Sequence, residues 1–316
     1  MRVLVVGWPS FVRGEATAGD VLALEAVRRR LAEAGLPCDI AWSPVFRPGA
    51  LTLEQARPED YTHLVFACGP LRGEQVERLH RRYARCRRVA VGVSVIDPGD
   101  PAAAGFHAVL PRDAPGVPAR CDLAASVATP EVPVVGVVLV RRQREYGARG
   151  RHERVERELT GWLGRRECAR LPLETRLDPG DWRLAATAAE LESAVRRLDL
   201  VVTTRMHGLV LALKNRVPAL AVDPVAGGAK VTAQARAWSW PAVLTPPEHA
   251  AGPRLLDPAE LERWWRWCLS QEGAARARAQ PETAPLADGL LDALDFARTR
   301  YDRLKPGTRH EKRHAE

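Results

Sequence analysis

The chain has 316 residues, 46% of them hydrophobic and 27% charged, the balance of a globular protein with material for one large or two ordinary domains. No apolar run approaches the roughly 18 residues of a membrane-spanning helix, since the longest, Val132 to Val140, is of strand length. The net charge of +8 favours acidic partners, either phosphorylated small molecules or an anionic lipid surface. Basic residues are spread thinly and form no nucleic-acid-binding module, so no nucleic-acid partner is expected.

Residues 2–7 (RVLVVG) predict a first buried strand ending at Gly7. The loop WPSFVRGEATAGD leads to a helix over 21–34, closed by Gly35 and Pro37. Asp20 stands where a helix cap would, and this reading competes evenly with a binding role. Further strands are expected at 38–42, 62–67 and 88–95, with a helix over 74–85 and a strand from Ala108 to Leu110 leading into Arg112-Asp113. Repeated βα units argue for a parallel sheet flanked by helices.

The stretch 124–133, ending ATPEVP, has linker composition, and Val134 to Val140 restarts a buried strand. The expected domains are therefore 1–130, 131–285 and a C-terminal helix with a basic tail over 286–316. The second strand ends in RRQR, and 145–152 (EYGARGRH) reads as a loop able to cover a site. Helices are expected over 155–164 and 190–198, with a short strand and irregular loops between 168 and 187. Leu198 to Val202 predicts a parallel strand, followed by Arg205-Met206-His207-Gly208, a short helix over 209–213 and a strand over 218–222. The Arg-Met-His triplet thus falls just past the carboxyl end of a strand, where open α/β sheets bind ligands. Met206 reads as core packing, and Asp223 as a turn residue before Pro224. A helix from Lys230 to Trp238 and a strand over 241–244 follow. The helix 259–271, capped by Asp257, carries Leu261, Trp264, Trp265, Cys268 and Leu269 on one face. Arg263 and Arg266 beside that stripe suit a membrane surface, although packing within the domain is the favoured reading.

The six scattered cysteines lack a C-x-x-C pair and read as reduced thiols of a cytoplasmic protein without a zinc site. Met1-Arg2 runs directly into a strand, so no signal peptide is expected. A cytoplasmic location follows, with peripheral contact at the inner membrane face as a companion expectation.

The stretch LDLVVTTRMHG, then ALKNRVPALAV, then Lys230, resembles the polysaccharide pyruvyl transferase family, whose hallmark is an Arg-x-His triplet in this setting. The resemblance is good over roughly 188–231. It implies two Rossmann-like domains in a glycosyltransferase-B-like architecture with a cleft between them. It implies an enzyme that moves the enolpyruvyl part of phosphoenolpyruvate onto two sugar hydroxyls, leaving a cyclic ketal and phosphate. Arg205 and His207 then have catalytic roles. Arg205, His207, Gly208, Lys230 and Arg141 hold the donor, while Gly19 and Asp20 meet the acceptor. The partners implied are phosphoenolpyruvate and a glycan or lipid-linked sugar, with no metal and no cofactor. Thr17 replaces the family's asparagine before Gly19-Asp20, and Pro70 departs from its paired glycines after the third strand.

The residues themselves fit this chemistry. Arg205 offers a planar fork to a phosphate or carboxylate, and the helix start at Gly208 adds free amides. A histidine, such as His207, serves as acid or base near neutral pH. Two other readings stay open: a nucleotide-sugar glycosyltransferase of the same architecture, and a non-catalytic relative that binds a phosphorylated metabolite. No glutamate suited to hold a ribose follows the key strand, where GLVLALK stands.

Overall fold

A computed structural model describes residues 1–140, 143–249, 254–279, 289–290 and 294. The chain divides into two units, Met1–Pro130 and Glu131–Glu316. Each is built on an open sheet of five parallel strands, so both halves are parallel α/β domains.

In the first unit the strands are β1 (Val3–Val6), β2 (Cys38–Ile40), β3 (His63–Ala67), β4 (Arg87–Ser94) and β5 (Ala108–Asp113), in the order β2-β1-β3-β4-β5. The connecting helices are α1 (Ala18–Glu33), α2 (Glu74–Arg82) and the single turn α3 (Pro101–Ala104). All four residues of β1 are buried, as befits a strand covered on both faces. Their period-two alternation divides them between two cores. Leu4 and Val6 join Phe66, Leu79 and Tyr83, whereas Val3 and Val5 join Leu24, Val27 and Trp42.

In the second unit the strands are β6 (Val134–Val138), β7 (Ala169–Pro172), β8 (Leu200–Thr203), β9 (Ala219–Val222) and β10 (Val243–Leu244), in the order β10-β9-β8-β6-β7. The helices are α4 (His152–Leu163), α5 (Ala188–Val195), α6 (Met206–Lys214), α7 (Lys230–Ala237), α8 (Pro258–Cys268) and α9 (Gln271–Arg278). The α8 stripe turns inward. Leu261, Trp265 and Cys268 are buried, and Trp265 meets Trp162 of α4 edge to face with ring centroids 5.7 Å apart. Packing, the favoured reading, is what this face does. Among the described residues no helix is long and apolar enough to cross a membrane.

Each sheet has one point at which successive connections leave in opposite directions. In the first unit it lies between β1 and β3, and in the second between β6 and β8. These are the crevices where open parallel sheets receive ligands.

Several boundaries differ from expectation for local reasons. Helix α1 starts at Ala18, because Thr17 is its N-cap and Asp20 the third-position partner of a capping box. Asp20 therefore takes part in the cap from the third helical position, with Thr17 as the N-cap residue. Helix α4 begins at His152, and the segment read as one helix to Gln271 breaks after Cys268 into α8 and α9. Strand β5 runs through Arg112-Asp113. Arg112 donates to Asp113, Asp122 and Ser94 at 2.6–2.7 Å, so it clips a loop to the sheet. The helix expected over 286–304 and the basic tail lie outside the described residues except at 289–290 and 294.

Candidate functional site

Strand β8 is fully buried and ends in Thr203, and Thr203 with the following buried Thr204 carries the backbone across the switch point. The Thr203 hydroxyl donates to the Val138 carbonyl at 2.9 Å and accepts the Arg205 amide at 2.9 Å. The Thr204 hydroxyl accepts the Val140 amide at 2.8 Å. Two buried hydroxyls thus lock the ends of β6 and β8 together and set where Arg205 leaves the sheet. The VTT spelling, ordinary for a strand end, is the frame of the site.

Arg205 is extended, with φ −108° and ψ 131°, and is the N-cap residue of α6. Met206, His207 and Gly208 follow as its first turn, where backbone amides lack intrahelical acceptors. Gly208 is required here by packing. A Cβ on it would lie 2.3 Å from the Thr203 hydroxyl and 3.1 Å from Val138. The glycine lets α6 press against the strand ends, so what it gives the site is helix placement and a first-turn amide. Met206 packs on the core but also lines the cavity, a correction to a purely packing role. His207 is exposed, and its ring has no partner among the described residues.

Lys230 reaches the same place from another loop. Asp223, fully buried at the end of β9, organises that loop. Its carboxylate accepts the amides of Val225, Ala229 and Thr232 and the Thr232 hydroxyl, at 2.7–3.1 Å. Two left-handed glycines, Gly227 and Gly228, complete the turn. Asp223 is therefore the anchor that starts α7 and presents Lys230, a larger role than a turn residue before Pro224. The ammonium sits 3.5 Å from Glu145 and 5.6 Å from the Tyr146 ring centroid.

Arg205, Met206, His207 and Lys230 line one cavity of about 330 Å³ with Val140, Gln143, Thr175 and Arg176. Three of the donor residues expected from sequence thus converge, with Gly208 directly behind them. Arg141 lies outside the described residues. Sequence reasoning missed the segment after β7. The Arg205 guanidinium pairs with Glu174 and donates to the Thr175 hydroxyl at 2.8 Å. Burial works to raise the Glu174 pKa, but the Arg176 amide and the Arg205 charge outweigh it and hold the carboxyl below its usual range. Only one terminal nitrogen of Arg205 is spent on these partners, leaving the rest of the fork for a ligand. No motif marked Glu174-Thr175-Arg176, because an edge strand and irregular loop carry no periodic signal.

The loop 145–152 is not a free lid. Its Arg144–Arg149 part is a 3₁₀ segment, and the Arg149 side chain donates to the carbonyls of Ala226 and Gly228. The Arg151 amide donates to Pro224 at 2.8 Å. The loop is stitched to the turn that presents Lys230.

Gly19 and Asp20 lie in the first unit. Asp20 is 9% exposed, and its carboxylate accepts the Thr17 amide at 3.2 Å and the Thr17 hydroxyl at 2.7 Å. Burial, and then hydrogen bonding to Asp20, push the Cys68 thiol up to about 11. Asp20 lines a cavity of about 370 Å³ with Trp8, Arg13, Glu15, Gly69 and Pro70, at the β1/β3 switch point. Gly19 is not among its lining residues. Cys68 and Gly69 both take left-handed backbone, φ 66° and 75°. Gly69 adopts this freely, whereas Cys68 does so at a steric cost.

The family model for polysaccharide pyruvyl transferase matches residues 166–224, from the turn before β7 to the end of β9. The matched stretch includes Glu174, Arg176, Arg205 and His207. Among solved structures the chain is similar to a UDP-GlcNAc 2-epimerase from Methanocaldococcus jannaschii, at 9% identity and TM-score 0.32 over 94% of this chain and all of that one. It is likewise similar to the E. coli heptosyltransferase WaaC with ADP, at 13% identity and TM-score 0.28 over 85% of this chain and all of that one. The spinosyn rhamnosyltransferase SpnG gives 13% identity and TM-score 0.31 over 94% of this chain and all of that one. No curated protein matches the chain.

Proposed function

We propose that the chain transfers the pyruvyl group of phosphoenolpyruvate onto two hydroxyls of a sugar, forming a pyruvate ketal and releasing phosphate. The observation that carries this reading is the convergence of Arg205, Arg176, Lys230 and the start of α6 around one cavity that also holds His207. A ligand with both a phosphate and a carboxylate needs several fixed positive donors once water is displaced. The match over 166–224 supports the same reading.

In this scheme Arg205, Lys230 and the α6 amides bind the two anionic groups. A proton passes to the methylene carbon of the enol, with His207 as the acid, and leaves a cationic centre at the ketal carbon. A sugar hydroxyl adds there and loses its proton to a base. The bond to the phosphate oxygen then breaks, phosphate departs, and the second hydroxyl closes the ring with loss of its proton. The scheme calls on no metal or cofactor. The acceptor, a glycan or lipid-linked sugar, falls to the first unit, with Asp20 in its binding cavity.

The test is a titration with phosphoenolpyruvate read as thermal stabilisation. A ligand specific for the folded state adds about 2.7 kcal/mol at a hundred times its dissociation constant. The expected result is a clear shift that disappears in Arg205→Ala. No shift, together with stabilisation by nucleoside diphosphates, overturns the reading in favour of a nucleotide-sugar transferase.

A further inference from the structure

A second cavity, of about 360 Å³, adjoins the one just described and shares Gln143 with it. It lies at the start of α4, the helix that follows the first strand of the second unit. Its lining includes Gly147, Gly150, Arg151, His152 and Arg157. The proposed transfer uses none of them.

The chemistry of this cavity is cationic and partly prepared. Arg151 is held in place by donating one terminal nitrogen to the carbonyls of Ala148 and Gly150. Arg157 is exposed, and its side chain has no partner among the described residues. Gly147 takes φ 46°, and a Cβ there would meet nothing within 4 Å, so the backbone opens onto the space. The amides of His152 and Glu153 belong to the first helical turn, where donors lack intrahelical acceptors. The one carboxylate in the lining, Glu153, is exposed and screened by water.

His152 is the independent sign of a ligand. Its side chain is 6% exposed, yet it lines the cavity. Its Nε2 lies 3.4 Å from the Gln143 side-chain oxygen, and its Nδ1 has no partner among the described residues. When Nε2–H donates to Gln143, Nδ1 of the neutral ring is an acceptor, and it lies against Gly150, which lines the same cavity. Burial also pushes its pKa down. A cluster of arginines alone would suit any anion, but this nitrogen asks for an anion that brings a proton. Inorganic phosphate does so, since its second ionisation falls close to neutral pH. Sulfate does not.

We propose that this cavity is a second anion subsite, specific for a phosphate group that keeps a titratable P–O–H, which the chain holds beside the donor. Arg151, Arg157 and the α4 amides meet its charged oxygens, and the P–O–H proton is shared with His152 Nδ1. The inorganic phosphate released by transfer supplies such a group, whereas a diphosphate esterified at both ends carries no proton near neutral pH. This inference rests on the proposed donor site only for the identity of its neighbour.

The experiment measures thermal stabilisation by inorganic phosphate, pyrophosphate and sulfate at matched ionic strength, in the wild type, Arg205→Ala and the double variant Arg151→Ala/Arg157→Ala. The expected result is stabilisation by phosphate at least fivefold more effective, in half-saturating concentration, than by sulfate. It survives in Arg205→Ala and is lost in the double variant, which keeps its response to phosphoenolpyruvate. His152→Gln, which keeps a polar group of similar size, is expected to erase the preference over sulfate. A response to phosphate at least equal to that to pyrophosphate supports assignment to released phosphate, and a response to pyrophosphate alone overturns it. Equal stabilisation by all three anions, no stabilisation, or loss of the response in Arg205→Ala overturns the proposal. Because phosphoenolpyruvate is read separately, failure here leaves the donor reading standing, and failure there leaves this one standing.

Discussion

The two units share a topology and oppose each other in chemistry. Both are five-stranded parallel sheets, and both have a cavity at the switch point. In the second unit that crevice is lined by Arg205, Arg176, Lys230 and His207, a set made to hold anions. In the first it is lined by Trp8, Arg13, Glu15 and Asp20, a mixture of charges around an indole. Such a mixture suits a polyhydroxylated ligand, which offers donors, acceptors and an apolar ring face. The fold supplies the place, and a handful of loop residues decide what is placed there.

The sharpest way to break this contrast is at Arg205. Replacing it with alanine is expected to lower kcat/KM by about 10³-fold or more, equal to about 4 kcal/mol of transition-state stabilisation, with circular dichroism unchanged. Wild-type turnover in that variant removes the site from the second unit. Next comes His207→Ala. Its expected signature is a kcat about 10²-fold lower with phosphoenolpyruvate affinity within about threefold of wild type. A loss confined to affinity would make His207 a ligand contact and nothing more.

Asp223→Ala tests how the cationic side is built. It strands three backbone amides and a hydroxyl in a buried place, at about 1–3 kcal/mol for an unmet group. A lower melting temperature and weaker phosphoenolpyruvate binding are expected together, since the loop that loosens is the one that presents Lys230. Retention of both would show that Lys230 needs no such support. On the other side of the comparison, Arg13→Ala is expected to raise the acceptor KM several-fold and leave the phosphoenolpyruvate titration untouched. A changed titration would mean that the division of labour between the units is wrong.

The smallest effect is on pH dependence. Burial is the leading cause that lowers the pKa values of His80 and His152. The unfolded chain therefore binds protons to these residues first as the pH falls through about 6.5. Stability is then expected to decline between about pH 7 and pH 5, before the carboxylates titrate. His80→Gln should flatten part of that slope in a melting series, and an unchanged slope would remove His80 from the account.

The parallel sheets were legible because buried strands such as VLVV and LVVT are unbroken apolar runs bounded by glycine or polar turns. The Arg-Met-His triplet was legible because a strand end followed by a helix start has a recognisable spelling. Its partners were not. Glu174 and Arg176 follow an edge strand with mostly exposed residues, and nothing local distinguishes them from any charged loop. Asp223 looked like a turn residue since its four hydrogen bonds reach across as many as nine positions of chain. His152 was read as the end of a loop because the capping signal that would start α4 is missing, Arg151 giving no side-chain cap. In the first unit the Thr17–Asp20 spacing does spell a capping box.

The Arg205–Glu174 pair has a consequence for selectivity inside a crowded solution. Because the guanidinium already has a carboxylate for company, chloride, bicarbonate and the many monocarboxylates of a cell gain little by approaching it. A guest with two anionic groups engages Lys230 and the helix start as well, and so outcompetes that resident counter-ion. The pair thereby biases the cavity against weakly charged solutes and toward a doubly anionic one.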